Sequence, residues 1–488
     1  MPAVLVWTAV ALFALLGLGI AVAAARGNTG SAVDYYLGGR AFGGMVSGLS
    51  YAATTYSAFM LIVLTGLTYR GGVGALGFEL IYFSGLSLIV VFGPRFWLAA
   101  QRWGFVTPAE MLGRRYGSPW VARATAVLSL IFLMPYCTTQ MAGIGLLLSE
   151  ITGGAISLPA AVAMGAVLAM LWTLVAGLRS VAWTDAVQAA IMVVSALLAV
   201  GFVVAAIGGP GAFAARLVEE RGPWLDVPGP GLWSLGTFLA LSLPWFFFPL
   251  SNPQVSQRLF VVRDIAAMRS MILWVLGFGL TFTLVAVIWG FAALILAPEL
   301  ENTSAATPAL LATGAVPTVV ALLLTVGILS AAISTLDSIA LTLGSMVARD
   351  LGEARARDAR QVLVGRIVVV LVILFASAFA LRNAPIVDQL AALSAAGLVV
   401  SVPATVGAFF WRGGTAAGAL ASLAGGALAA IWMAFVAGVS VFDPLLPGVV
   451  MAVSLALFVG VSVVTRPRAE ALDFKGELAA DLARHGVW

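Results

Sequence analysis

The chain is predicted to be an all-α polytopic membrane protein with about thirteen transmembrane helices. Three observations carry that expectation. Hydrophobic residues make up 62% of the 488 residues and charged residues only 9%, against about a quarter charged in soluble domains. Thirteen apolar stretches are each long enough to cross a bilayer as a helix. Basic residues collect in alternate gaps between those stretches. Transmembrane β-strands would be short and alternating, and these stretches are neither.

The expected spans are 3–24, 44–67, 74–99, 119–150, 156–176, 183–207, 233–251, 271–297, 315–348, 364–382, 387–410, 414–438 and 444–465. If the gap after the first span is cytoplasmic, 21 of the 25 basic residues share that side. Arg258 and Arg355 are among them; Arg70, Arg216, Arg221 and Arg382 are the four outside. This one-sidedness puts the N-terminus outside and the tail, 466–488, in the cytoplasm of a cell bounded by this plasma membrane. The odd number of spans agrees. Span 3–24 has no charged leading region, so it reads as a retained helix rather than a signal peptide.

Composition also narrows the chemistry. The net charge of +4 fits loops lying beside anionic lipid rather than nucleic-acid binding. Cys137 is alone, which allows no internal disulfide. The one histidine, His485, lies in the tail, so the membrane region offers no histidine catalysis or histidine metal site. Loop 208–232 reads as turn-rich. The stretch 349–360 reads as a solvated charged helix, and the tail as polar and partly disordered.

Two spans look broken. The second holds the small, polar run Ala52-Ala53-Thr54-Thr55-Tyr56-Ser57, and the seventh ends in Pro249-Leu250-Ser251-Asn252-Pro253-Gln254. Two prolines there remove backbone donors. The breaks are five spans apart, so spans 2–6 and 7–11, about 44–207 and 233–410, form candidate inverted repeats. Helices interrupted at matched positions point to a transporter binding site. The alternative is that small residues only let helices pack closely.

The most informative cluster is Ala331 to Ser338. Residues 331, 334, 335 and 338 share one helical face. Ser334, Thr335 and Ser338 give that face three hydroxyls, and Ala331 leaves a backbone oxygen accessible. Oxygen-only ligands suit a hard cation such as Na+. Asp337 adds a carboxylate, for which Asp185 is a candidate partner. Two such carboxylates would hold a cation or share a proton. The alternative is that the hydroxyls bond their own helix carbonyls. Ser57, Tyr136, Thr138, Gln140, Trp245, Asn252 and Gln254 are candidates for a solute cavity. Glu79 reads as an interfacial acid, and Arg40 as a charge at the cytoplasmic mouth.

At these residues the chain resembles the sodium:solute symporter family, which includes the sodium/proline and sodium/pantothenate symporters. The resemblance rests on Asp34-Tyr35-Tyr36-Leu37-Gly38-Gly39-Arg40, Thr107-Pro108-Ala109-Glu110-Met111-Leu112 and Pro135-Tyr136 with Gln140. Gly177-Leu178-Arg179-Ser180-Val181 with Asp185, Gln257-Arg258, and Ser334-Thr335 complete it. It implies a LeuT-like 5+5 inverted-repeat fold within one transporter domain, 1–465, with extra helices 3–24, 414–438 and 444–465. It also implies a sodium site built from the carbonyls of Ala53, Tyr56 and Ala331 and the hydroxyls of Ser334 and Thr335. A second sodium in some members would match Asp185, Ser334, Asp337 and Ser338 here. Thr55 stands where the sodium/proline symporter has an aspartate. The function implied is sodium-coupled import of an amino acid, organic acid, vitamin or sugar. Proton coupling through Asp185 and Asp337 is one alternative, and a non-transporting membrane sensor another. No nucleophile–base pair suggests an enzyme.

Overall fold

The computed structural model describes residues 1–27, 29–352, 356–383 and 387–487. Arg355 lies outside them. The protein is helical almost throughout, because its long apolar runs satisfy every backbone group internally. The principal helices are α1 (Ala3–Ala25), α2 (Gly44–Thr55), α3 (Met60–Gly71), α4 (Val73–Trp103), α5 (Pro119–Ile151), α6 (Leu158–Ala176) and α7 (Leu178–Ile207). They continue with α8 (Leu235–Phe246), α9 (Ile265–Leu296), α10 (Thr318–Leu351), α11 (Asp358–Arg382), α12 (Gln389–Phe410), α13 (Ala416–Val436) and α14 (Leu445–Val464).

Eleven of these, among the described residues, are long and apolar enough to cross a membrane alone. The pair α2 and α3, bent by 50° at residues 56–59, makes twelve if it is one span. Helix α8 is shorter, but it is followed by Phe248–Ser251 and Pro253–Ser256 at the place of the seventh expected span.

Both expected breaks are present. Helix α2 stops where Tyr56 leaves helical geometry (φ −93°, ψ 88°). Thr54 and Thr55 turn their hydroxyls back on the carbonyls of Ser50 and Tyr51, the local bonding that bends membrane helices. In the seventh segment, Pro249 and Pro253 each open a four-residue helical piece. Proline is tolerated in a first turn and cannot continue the turn before it. Asn252 stands between the pieces in extended geometry (φ −98°, ψ 108°).

The broken helices are held at the centre. Helix α2 packs on α7, α9 and α10, α7 packs on α9 and α10, and α5 packs on α10, α11 and α12. Gly48 sets one of these contacts. A methyl group there would lie 2.5 Å from Trp274 Cβ and 2.9 Å from the Met271 carbonyl of α9. Small residues allow this close approach where the hydrophobic effect cannot drive helices together. A short parallel bridge joins Phe42, just before α2, to Val262, just after the seventh segment.

Three surface expectations need correction. Loop 208–232 contains a helix, Pro210–Arg221, begun by Pro210. The stretch from 349 begins buried rather than solvated: Arg349 pairs with Glu110 at 3.1 Å, and Thr107 donates to Asp350 at 2.7 Å. The tail carries two short helices, Phe474–Glu477 and Ala479–Arg484. Phe474 is buried against Trp103, Phe105 and Phe409, and Asp473 pairs with Arg412 at 2.9 Å. Polar composition concealed this anchor, because one aromatic residue supplies it.

Phe474→Ala removes about 3–5 kcal/mol of buried aromatic contact. The tail should then detach and become protease-sensitive while the helical core stays intact. Limited proteolysis followed by mass spectrometry reads this directly.

Candidate ion and solute site

The end of α2 leaves carbonyls without helical partners, as every helix terminus does. Tyr56 N–H donates to Ala52 at 2.8 Å and is the last regular bond of the helix. The next three carbonyls are met by side chains. Ser334 donates to Ala53 O at 2.9 Å. Thr335 lies within 3.4 Å of Ala53 O and 3.3 Å of Thr54 O. Tyr82 donates to Thr55 O at 3.0 Å. On the α10 side, Ala331 O lies 3.3 Å from the Ser334 hydroxyl and 3.0 Å from that of Thr335. Four of the five residues named for the first ion site thus converge on one point. Tyr56, the fifth, stands beside them at the bend and is fully buried.

The second group of residues is arranged around an arginine. Arg258 is only 2% exposed, and its guanidinium donates to Asp185 (3.0 Å), Ser338 (2.5 Å) and Ser50 (3.1 Å). Ser50 donates in turn to Asp185 at 2.6 Å. Asp337 turns elsewhere: it accepts from Trp172 Nε1 of α6 at 3.1 Å and from Ser338 at 3.3 Å. Asp185 is therefore partnered by Arg258, and the expectation that Asp337 is its partner is replaced. Arg258 itself is a buried ion-pair member rather than a surface topology charge. Its flat, five-donor head suits several oxygens at once.

The solute candidates form two groups. Ser57 and Tyr136 share a hydrogen bond of 3.0 Å, and Gln140 Nε2 reaches Ser57 at 3.4 Å. Trp245 packs edge-on to Tyr136 and Tyr82 and stacks on Phe248 at 5.3 Å. Asn252 and Gln254 bond each other at 3.2 Å at the other break. Phe248 joins the two groups by packing on Tyr136. Thr138 belongs to neither, since it bonds its own helix at Met134. Gln140 Oε1 and Gln254 Oε1 are buried with no hydrogen-bond partner among the described residues. Buried unpaired amides of this kind are costly unless a ligand or water meets them.

Sequence reasoning missed three participants outright. Ser50, Tyr82 and Trp172 carry no distinguishing spacing. Glu79, read as interfacial, is fully buried in α4. Arg40 is half-buried and donates to the carbonyls of Ala100 (2.9 Å) and Phe105 (2.8 Å).

The pattern that defines the sodium:solute symporter family matches residues 35–426. The chain belongs to that family. It is 23% identical over 428 residues to the uncharacterized symporter YodF of Bacillus subtilis (strain 168), covering 86% of each chain. It is 25% identical over 302 residues, 59% of each chain, to the uncharacterized symporter YhjB of the same organism. The fold is similar to that of a Na+-coupled sialic acid symporter in its substrate-bound outward-open state (TM-score 0.80, 17% identity, 95% of this chain and 98% of that one). More distant likenesses are MhsT in complex with L-phenylalanine (TM-score 0.53, 13% identity, 88% and 98%) and Mhp1 with bromovinylhydantoin bound (0.52, 16%, 90% and 96%). The architecture is thus LeuT-like, and the family is one of transporters rather than enzymes.

Breaking the Arg258–Asp185 pair should cost more than removing it whole. Arg258→Met strands a buried carboxylate and should destabilise by about 3–5 kcal/mol. Arg258→Met combined with Asp185→Asn should recover part of that loss. Thermal unfolding in detergent, read as a double-mutant cycle, gives the coupling.

Proposed function

We propose that this chain is a sodium-coupled secondary symporter carrying one sodium ion together with a small organic solute. The reading rests on one observation above the rest. Two α10 hydroxyls and one α10 carbonyl meet the freed Ala53 carbonyl where α2 breaks. Carbonyls released at a broken helix replace the water shell of a small hard cation. In this reading Na+ is held by the carbonyls of Ala53, Tyr56 and Ala331 and by Ser334 and Thr335. The hydroxyl protons, now pointing at carbonyls, rotate away so that lone pairs face the ion.

Binding there ties α2 to α10 and favours the outward-facing arrangement. Solute enters beside it, against Ser57, Tyr136, Gln140 and Trp245, with Asn252 and Gln254 across the second break. Rocking of the core against the surrounding helices, within a fold of two repeats at about 44–207 and 233–410, then exposes both to the cytoplasm. Each imported charge gains roughly 2.3 kcal/mol per 100 mV of membrane potential. An amino acid, organic acid, vitamin or sugar matches the amides, hydroxyls and aromatic walls. The N-terminus outside, the tail in the cytoplasm and the plasma membrane are part of the same proposal.

Arg258 supports a single sodium. Its guanidinium already sits between Asp185 and Ser338, two of the residues named for a second ion. Adding Na+ there would bring a second cation against the Arg258 guanidinium, which already takes Asp185 and Ser338.

Ser334→Ala and Thr335→Ala each remove one oxygen worth about 1.5–3 kcal/mol to a charged partner. The sodium concentration for half-maximal uptake should rise about tenfold or more in proteoliposomes. Unchanged sodium dependence in both variants rejects the site. Separately, sodium activation of wild-type uptake should be hyperbolic; a sigmoidal curve would reinstate a second ion.

A further inference from the structure

We propose that a cavity beside the tail, at the start of α5, binds a phosphate-bearing anion. The cavity has a volume of about 640 Å³ and lies between the short helix Pro108–Arg115, the first turn of α5, the end of α10 and the tail. None of the residues named for ion or solute lines it. Ser118 is the N-cap residue of α5, a helix of 33 residues. A serine in that place ordinarily accepts from an amide of the first turn. Here its side chain makes no such bond. Ser118 is 2% exposed, lines the cavity, and its Oγ has no hydrogen-bond partner among the described residues. The start of a long helix also carries partial positive charge, which favours an anion.

Four arginines, Arg114, Arg123, Arg349 and Arg468, line the same cavity. Three carboxyls line it with them, and two of these are already engaged. Glu110 accepts from Arg349 at 3.1 Å, and Asp350 accepts from Thr107 at 2.7 Å. The third, Glu470, is exposed. Arg114, Arg123 and Arg468 make no ion pair among the described residues. Arg123 lies over the Trp120 ring at 4.8 Å, and Arg468 donates to the Gly117 carbonyl at 3.3 Å. Arg349 Nε is buried with no partner among the described residues. Unpaired guanidiniums repel a metal cation. Three of them, with an idle hydroxyl and a helix terminus, offer more donors than one carboxylate accepts. They match the several oxygens of a phosphate group.

The backbone holds these groups in place. Ser118 N–H donates to the Gly113 carbonyl at 2.8 Å, and Leu472 N–H of the tail donates to the Arg114 carbonyl at 3.4 Å. A methyl group on Gly113 would lie 2.7 Å from Ala122 Cβ of α5. Gly117 has φ +61°, and a methyl group there would lie 2.9 Å from the Ala471 nitrogen of the tail. An anion in the cavity therefore ties the tail, α5 and α10 together at one point. Trp120 is 60% exposed and adjoins Arg123 in the first turn of a span, where aromatic rings meet lipid headgroups. An anionic lipid headgroup and a free phosphate present the same oxygens to such a site.

The test labels the full chain in lipid nanodiscs with phenylglyoxal, which modifies free guanidiniums, and reads each arginine by mass spectrometry at constant ionic strength. One arm adds inorganic phosphate to discs of phosphatidylcholine. The other replaces part of that lipid with phosphatidylglycerol and adds no phosphate. Modification of Arg114, Arg123 and Arg468 should slow about tenfold or more at saturation, while exposed Arg263 reacts at its usual rate. Protection by inorganic phosphate makes the ligand a free phosphate; protection only with phosphatidylglycerol makes it a headgroup. Unchanged rates in both arms overturn the proposal. Arg114→Gln, at an exposed position, should raise the concentration that half-protects Arg123 about tenfold. If that variant fails to fold, Arg123→Gln is read at Arg114 instead. Protection that neither substitution weakens also overturns the proposal.

Discussion

The structure depends on where the last carbonyls of α2 find partners. A helix ending inside a bilayer cannot leave its carbonyls to lipid, where each costs several kcal/mol. Ala53, Thr54 and Thr55 would be orphans at the Tyr56 break. Two are met by hydroxyls of α10 and one by Tyr82 of α4. The break therefore cannot exist without α10 and α4 packed against it, which is why α10 is enclosed so thoroughly. The bonds are neutral and short-armed, so a cation of suitable size can replace the protons without rebuilding the backbone.

A second constraint lies beside it. Arg258 brings a permanent positive charge into the centre, where Asp185 balances it and Ser50 and Ser338 fill its remaining donors. The pair joins the seventh segment to α7, with α2 and α10 supplying the hydroxyls. Its net energy is modest, because desolvation offsets much of the attraction. Its value lies in register: a guanidinium with three fixed side-chain acceptors permits one arrangement of those elements. Any motion that separates the seventh segment from α7 must pass through a state with two uncompensated charges, which favours movement of those two elements together.

Much of this was legible from sequence, and the limits have physical causes. Span positions follow from apolar length, since nothing but a helix satisfies such runs in a membrane. The hydroxyl-bearing face of α10 was readable because Ala331, Ser334 and Thr335 repeat at helical spacing. The breaks were readable from small polar residues in one case and paired prolines in the other. Arg258 was not, because an arginine beside a span end has the same sequence appearance whether it faces water or an aspartate 73 residues away. The hydrogen-bond partner of Asp337 was missed for the same reason: Trp172 is a long-range partner with no local signature. Glu79 was misjudged because its span has no periodicity that would mark a buried face. The helix at Pro210–Arg221 and the docked tail were hidden by polar composition, which reports solvent contact on one side and says nothing of the other.

In the proposed cycle, the segment 53–59 would let ion and solute feel each other without touching. Ala53 offers its carbonyl to the α10 hydroxyls, and four residues later Ser57 offers its hydroxyl to Tyr136 and Gln140. Between them the helix ends: Tyr56 makes its last regular bond, to Ala52, and there leaves helical geometry. Fixing the Ala53 end with a cation therefore restricts where the Ser57 hydroxyl stands, and ordering Ser57 with a solute restricts Ala53 in return. Such coupling must be reciprocal, and about 1–3 kcal/mol is the usual range for linked sites. That is enough to make an empty or half-filled transporter reluctant to change state. An uninterrupted helix through the same residues would hold both positions fixed regardless of occupancy, and the two ligands would then bind independently. In the proposed cycle the break is thus what allows one gradient to act on another.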